Sequence, residues 1–138
     1  MYMPRTDAGV NPVTGLSGLE NARAMKLAEI NAACERVMAA VTAGYPQSEL
    51  LTFDKQEQEA RAYTADAGAS VPLLSALAAS RGLALAELVR RVIVKADAFA
   101  AVSGVVVGQR QALEDRLALA ATVAEVDAIA VVYTLPEA

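Results

Sequence analysis

Histidine and tryptophan are absent from the 138-residue chain, and its one cysteine is Cys34. Without imidazole, Ser-His-Asp and Cys-His nucleophile arrangements and the HExxH zinc site cannot be assembled. A lone thiol makes neither a CxxC cluster nor an internal disulfide. Four Tyr and two Phe give little to stack on bases, and a net charge of −4 leaves no general footprint for a phosphate backbone, so no nucleic-acid partner is expected. Neither GxxxxGK[ST] nor a strand-linked GxGxxG occurs, so nothing is shaped to cradle phosphate and no cofactor is expected. The first 18 residues hold no apolar signal core, and no run reaches the ~18 uninterrupted apolar residues of a membrane helix. The expectation is a soluble chain with no secretion signal and no membrane partner, its single thiol suited to a reducing compartment.

Alanine is abundant instead: thirty-one residues, which lose no side-chain entropy in a helix, alongside Leu, Glu, Arg, Lys and Gln, which lose little. An all-α fold follows, a helical bundle of two long and about three short helices behind an extended N-terminal arm. The length fits one helical domain, 19–138, that buries roughly 68% of its unfolded surface without metal or disulfide support.

The arm, residues 1–18, carries Pro4, Pro12, Gly9, Gly15 and Gly18 without any sustained period. Such segments are commonly disordered alone, yet Tyr2, Val10, Val13 and Leu16 offer apolar contacts through which this one could order on a partner.

Ser17-Gly18-Leu19-Glu20 has capping-box spacing and starts the first helix, whose seam Leu27, Ile30, Cys34, Val37 and Val41 runs to a stop at Gly44. Tyr45-Pro46 breaks the chain. A second helix, capped by Ser48 or Thr52, runs to about Asp66 with Leu50, Phe53, Ala60 and Tyr63 inward and a solvated acidic outer face. Pro72 opens a short helix over 71–81 that Gly82 ends. From about Leu85 to Ala121 nothing but Gly104 and Gly108 interrupts a very long helix, which either kinks there or packs closely. Thr122-Val123-Ala124-Glu125 repeats the capping-box spacing and starts a last helix with Val126, Ile129, Ala130 and Tyr133 inward, ended by Leu135-Pro136.

Ala96, Ala100, Gly104, Gly108 and Ala112 recur every four residues on the long helix. Side chains this small let another backbone approach, so the strip is expected to pack tightly on a second helix, from the same chain or from a second copy in a homo-oligomer.

Reacting groups are few. Cys34 lies in an apolar stripe and reads as a small buried hydrophobe. Glu114-Asp115 and Glu57-x-Glu59 are adjacent or i,i+2 and do not share a helix face, so they make no convincing metal or acid/base site. Arg90 and Arg91, with Lys95, form a mildly basic patch, by default solvated surface and otherwise a contact for an acidic protein. The chain is expected to be no enzyme and to hold no metal. The interaction residues it nominates are Tyr2, Val10, Val13, Leu16, Arg90, Arg91, Ala100, Gly104 and Gly108.

Several segments together resemble a known helical domain: Lys26-Leu-Ala-Glu-Ile-Asn-Ala-Ala-Cys34, Ala43-Gly-Tyr-Pro46, Asp54-Lys-Gln-Glu-Gln-Glu-Ala-Arg-Ala-Tyr63, Val71-Pro-Leu-Leu74 and Gly108-Gln-Arg-Gln-Ala-Leu-Glu-Asp115. The domain is found in tailed-bacteriophage and prophage tail proteins, often at the C-terminal end of tail-fibre or tail-fibre-assembly proteins, and the resemblance covers about 19–131. It implies a non-catalytic phage tail-associated role, an accessory or chaperone in tail-fibre assembly that binds a fibre or baseplate protein. The alternative is a permanent subunit of the tail, fibre or baseplate in the mature virion. The corresponding location is the host cytoplasm during assembly, or the virion tail. Assembly chaperones of this group typically carry a further N-terminal region engaging the fibre tip, where this chain has the short arm. A small enzyme or nucleic-acid-binding regulator is the third class, set aside on composition.

Overall fold

In the computed structural model, which describes residues 17–136, helix α1 (Gly18–Thr42) begins at the expected capping box. Ser17 Oγ accepts the Glu20 amide at 3.0 Å and the Glu20 carboxylate accepts the Ser17 amide at 3.1 Å, so two amides left unpaired by the helix start are satisfied reciprocally. The chain continues through α2 (Gln47–Leu50), α3 (Phe53–Ala65), α4 (Pro72–Arg81), α5 (Leu85–Leu119) and α6 (Val123–Asp127). The fold is all-α, with no strand among the described residues.

The sequence suggests one helical domain over 19–138, whereas packing divides the described residues into two units, each with its own apolar cluster. In the first, residues 17–41 and 104–136, Ala22 and Ile30 of α1 meet Leu113, Leu117, Ala120, Val123, Val126 and Ile129. Cations of α1 take up carbonyls left unpaired at the ends of the later helices. Arg23 donates to the Ala120 carbonyl, and Lys26 donates to that of Ile129 at 2.9 Å, a placement favoured at the negative end of a helix. In the second unit, residues 42–103, Ala60 of α3, Val71, Leu74 and Ala78 of α4, and Leu88 and Val89 of α5 form the core.

Gly82 ends α4 with φ +66°, the single positive φ among the described residues. Its amide reaches the Ala79 carbonyl and the Leu83 amide reaches that of Ala78 at 2.9 Å. Left-handed backbone at a helix end is where glycine's missing Cβ is needed.

Three local expectations change. The second helix is interrupted: α2 ends at Leu50 and α3 starts at Phe53. Thr52 does not cap α3 with its side chain. Its hydroxyl instead donates to the Glu49 carbonyl at 2.7 Å and accepts from Gln56 Nε2 at 2.9 Å, a local bond that competes with helical pairing. The last helix is shorter than expected, because α6 ends at Asp127 and Tyr133 projects from non-helical chain. The β-branched run Val131-Val132 disfavours helix there, and Ala130 is exposed. Glu125 accepts from the Ala121 amide, one residue before the Thr122 cap that the capping-box reading names.

Gln109 of α5 fixes that final segment as a neighbouring strand would. Its side-chain oxygen accepts the Thr134 amide at 2.8 Å and its side-chain nitrogen donates to the Thr134 carbonyl at 2.7 Å. Tyr133 donates its hydroxyl to the Ile30 carbonyl at 2.9 Å, and burial raises its pKa above the usual tyrosine value.

Candidate interaction surface

Helix α5 is unbroken across Gly104 and Gly108, and beyond the half-buried Ala96 the small-residue strip on it does not pack against the described residues. Gly104 and Gly108 have nothing within 4 Å of where a Cβ would stand, and Ala100 and Ala112 are exposed. At 3.6 residues per turn, a row taken every four residues drifts about 40° per step, so it leaves any one face within a few turns. The buried positions of α5 beyond Gly104, namely Val106, Leu113 and Leu117, lie on another face.

What α5 exposes is apolar. Val94 is 59% accessible, and Phe99, Val105 and Val107 are 40% accessible each. The helix is long and apolar enough to cross a membrane by length and composition, and its most apolar 18-residue stretch is 6% buried. Short interruptions by Lys95 and Asp97 hide this from a search for uninterrupted apolar runs. Val94 and Val105 share one side of the helix, whereas Phe99 and Val107 point to other sides, so apolar side chains are exposed around α5. Lone exposed aliphatics are ordinary, and it is their number on one helix that marks a surface able to meet a partner.

Several charged groups on and beside this helix are paired. Glu87 accepts from Arg90 at 2.7 Å and from Arg91 at 2.9 Å; the hydrogen bonds from Arg90 and then Arg91 hold its carboxyl down at about 2. The expected basic patch is thus two guanidinium groups sharing one carboxylate, with less free charge than the sequence suggests. Lys95 lies over the Tyr45 ring at 4.6 Å and over the Phe53 ring at 5.9 Å, and those rings meet edge to face at 5.1 Å. Asp97 accepts from Arg61 at 2.6 Å.

Tyr2, Val10, Val13 and Leu16 lie outside the described residues. Arg90, Arg91, Ala100, Gly104 and Gly108 all fall on exposed parts of α5. Cys34 is buried in α1 as a small hydrophobe. No group of three or more His, Cys, Asp or Glu stands close enough to hold a metal among the described residues. Glu59, read from sequence as part of a solvated acidic face, is 3% exposed and accepts the Leu73 and Leu74 amides at the start of α4 at 3.3 and 2.9 Å. That start has no side-chain cap of its own, so the carboxylate serves structure. Val94, Ala98, Ala101 and Val105 were missing from the sequence reading, although their alternating spacing of 4, 3 and 4 was there to be read.

Residues 94–132 match the family model of the HI1402 helical domain. The chain is also similar to an uncharacterized protein of Haemophilus influenzae, 49% identical over 45 residues, a segment that makes up 33% of this chain and 66% of that protein. No solved structure matches the chain.

Proposed function

We propose that the chain is a non-enzymatic interaction module that acts in bacteriophage tail-fibre assembly as an accessory or chaperone, binding a fibre or baseplate protein. One observation carries the interaction role: among the described residues α5 leaves Val94, Phe99, Val105 and Val107 exposed although each packing unit has an apolar cluster of its own. Exposed apolar surface of this extent is costly to keep unless a partner covers it. The phage setting is supported by the segment resemblance described above, and the non-catalytic character by the pairing of the carboxylates and guanidinium groups near α5 with one another.

Co-expression with the product of the neighbouring gene, followed by a pull-down on the tagged chain, tests the role. A fibre or baseplate protein is expected to co-purify, and its absence contradicts the assignment. Removing residues 1–16 leaves helicity intact and abolishes co-purification if the arm is the contact; undiminished binding moves the contact to the helices. Mass spectrometry of purified particles then separates helper from component, since stoichiometric recovery assigns the chain to the mature tail.

A further inference from the structure

On α5, Arg91, Val94, Ala98, Ala101, Val105, Gly108, Ala112 and Asp115 are spaced 3, 4, 3, 4, 3, 4 and 3, and all eight are exposed. Alternating threes and fours average 3.5 residues, close to the helical period, so unlike the every-fourth row they stay on one face. This is a solvent-facing seam of the kind through which two helices pair. We infer that it pairs with a second copy of the chain, antiparallel, through α5 of each. The inference rests on α5 being an interaction surface and is independent of the tail assignment.

The order of residues selects both the occupant and the direction. Setting Ala101 opposite the partner's Val105 fixes every other layer. Ala98 then meets the partner's Gly108, Val94 meets the partner's Ala112, and Arg91 meets the partner's Asp115. Each larger side chain faces a smaller one, which fills space at close approach without overpacking. Opposite charges meet at both ends of the seam, and Gly104, one residue from the two-fold axis at Ser103, adds no side chain where the two backbones come nearest. Asp97 falls beside the partner's uncharged Gln109 and the partner's Gln111, so like charges do not oppose there. The parallel in-register arrangement stacks Arg91 on Arg91 and Asp115 on Asp115, and sets Gly108 on Gly108 with a gap. Self-complementarity of this kind is what an isologous interface requires. The exposed end pairs set direction and register more than affinity.

The test uses the full chain with its native, buried Cys34. An equimolar mixture of Ala98→Cys chains and Gly108→Cys chains is expected to form a disulfide-linked heterodimer under mild oxidation, with little linkage in either variant alone. Linkage within each variant alone, and none gained on mixing, shows parallel pairing and overturns the inference. Sedimentation equilibrium provides the second measurement. Wild type is expected to associate, and Val105→Glu, which sets a carboxylate against apolar surface twice per dimer, raises the dissociation constant at least about tenfold with unchanged helicity. A wild-type monomer at every concentration, or a dimer indifferent to Val105→Glu, overturns the pairing. A monomer that floats with phosphatidylcholine/phosphatidylglycerol vesicles assigns the face to lipid and also overturns it. A monomer that still captures the neighbouring gene product sinks self-pairing alone, whereas a dimer that captures nothing sinks only the tail role.

Discussion

Glu59 Oε1 accepts the backbone amide of Leu74 at 2.9 Å, which places a carboxylate of α3 at the start of α4 in a spot almost closed to water. The Pro72 ring removes one donor from that helix start, and the Leu73 and Leu74 amides are the next in line. One acidic side chain therefore replaces the cap that Val71 cannot supply. Lys55 stands 3.8 Å away, largely in solvent, and contributes little beyond partial charge balance.

Replacing Glu59 with Leu leaves both amides unpaired and is expected to cost about 2 to 4 kcal/mol, because a buried unpaired donor loses roughly 1–3 kcal/mol. Glu59→Gln keeps one acceptor oxygen and is expected to cost about 1 kcal/mol. Urea unfolding followed by circular dichroism measures both. Equal midpoints for wild type and Glu59→Leu contradict the capping role.

Glu87 carries a pH prediction. Its carboxyl titrates at about 2 in the folded chain, against 4.5 for an unperturbed group, held down first by Arg90 and then by Arg91. The stabilisation is therefore fully present above about 4.5 and is lost as pH falls towards about 2. Carbon-detected NMR of the side-chain carboxyl is expected to show the low midpoint, and Arg90→Gln is expected to move it upward. A midpoint in the ordinary carboxylate range contradicts the shared ion pair.

Gly104 sits mid-helix with open space where a side chain would stand. In dilute solution, Gly104→Ala is expected to raise stability by about 0.5–1 kcal/mol, through helix propensity and lost unfolded-state entropy. Thermal melts at low concentration read this directly. A lower midpoint indicates that a neighbour inside the chain occupies that space.

Gln109 anchors residue 134 through both its backbone groups. Gln109→Leu is expected to release the end of the chain, speeding amide exchange at Thr134 by about tenfold or more while leaving the Leu113 and Leu117 amides protected. Unchanged exchange at Thr134 contradicts the anchoring.

The helices were largely legible in the sequence because their signals are local. The box at Ser17 and Glu20, Pro72 at a first helical position and Gly82 at a left-handed end act within a few residues of themselves. What stayed hidden depends on partners far along the chain. Glu59 looks like any helix-surface carboxylate until α4 is brought against α3. Tyr133 reads as helical until its hydroxyl is seen bonded to Ile30, more than a hundred residues earlier. The division into two packing units is similarly set by which apolar residues meet, since no linker marks it within the unbroken α5. On α5, the every-fourth strip was conspicuous for its glycines, yet the face that helical geometry keeps in line alternates threes and fours.

The central claim is that the exposed apolar side chains of α5 are covered by protein in the working state. Hydroxyl-radical footprinting reads it directly, comparing the dilute isolated chain with the complex purified after co-expression with the neighbouring gene product. Labelling of Val94, Phe99 and Val105 is expected to fall at least threefold in the complex, with Met25, exposed on α1, labelled as before. Equal labelling of those three residues in the dilute chain and in the complex would contradict the account.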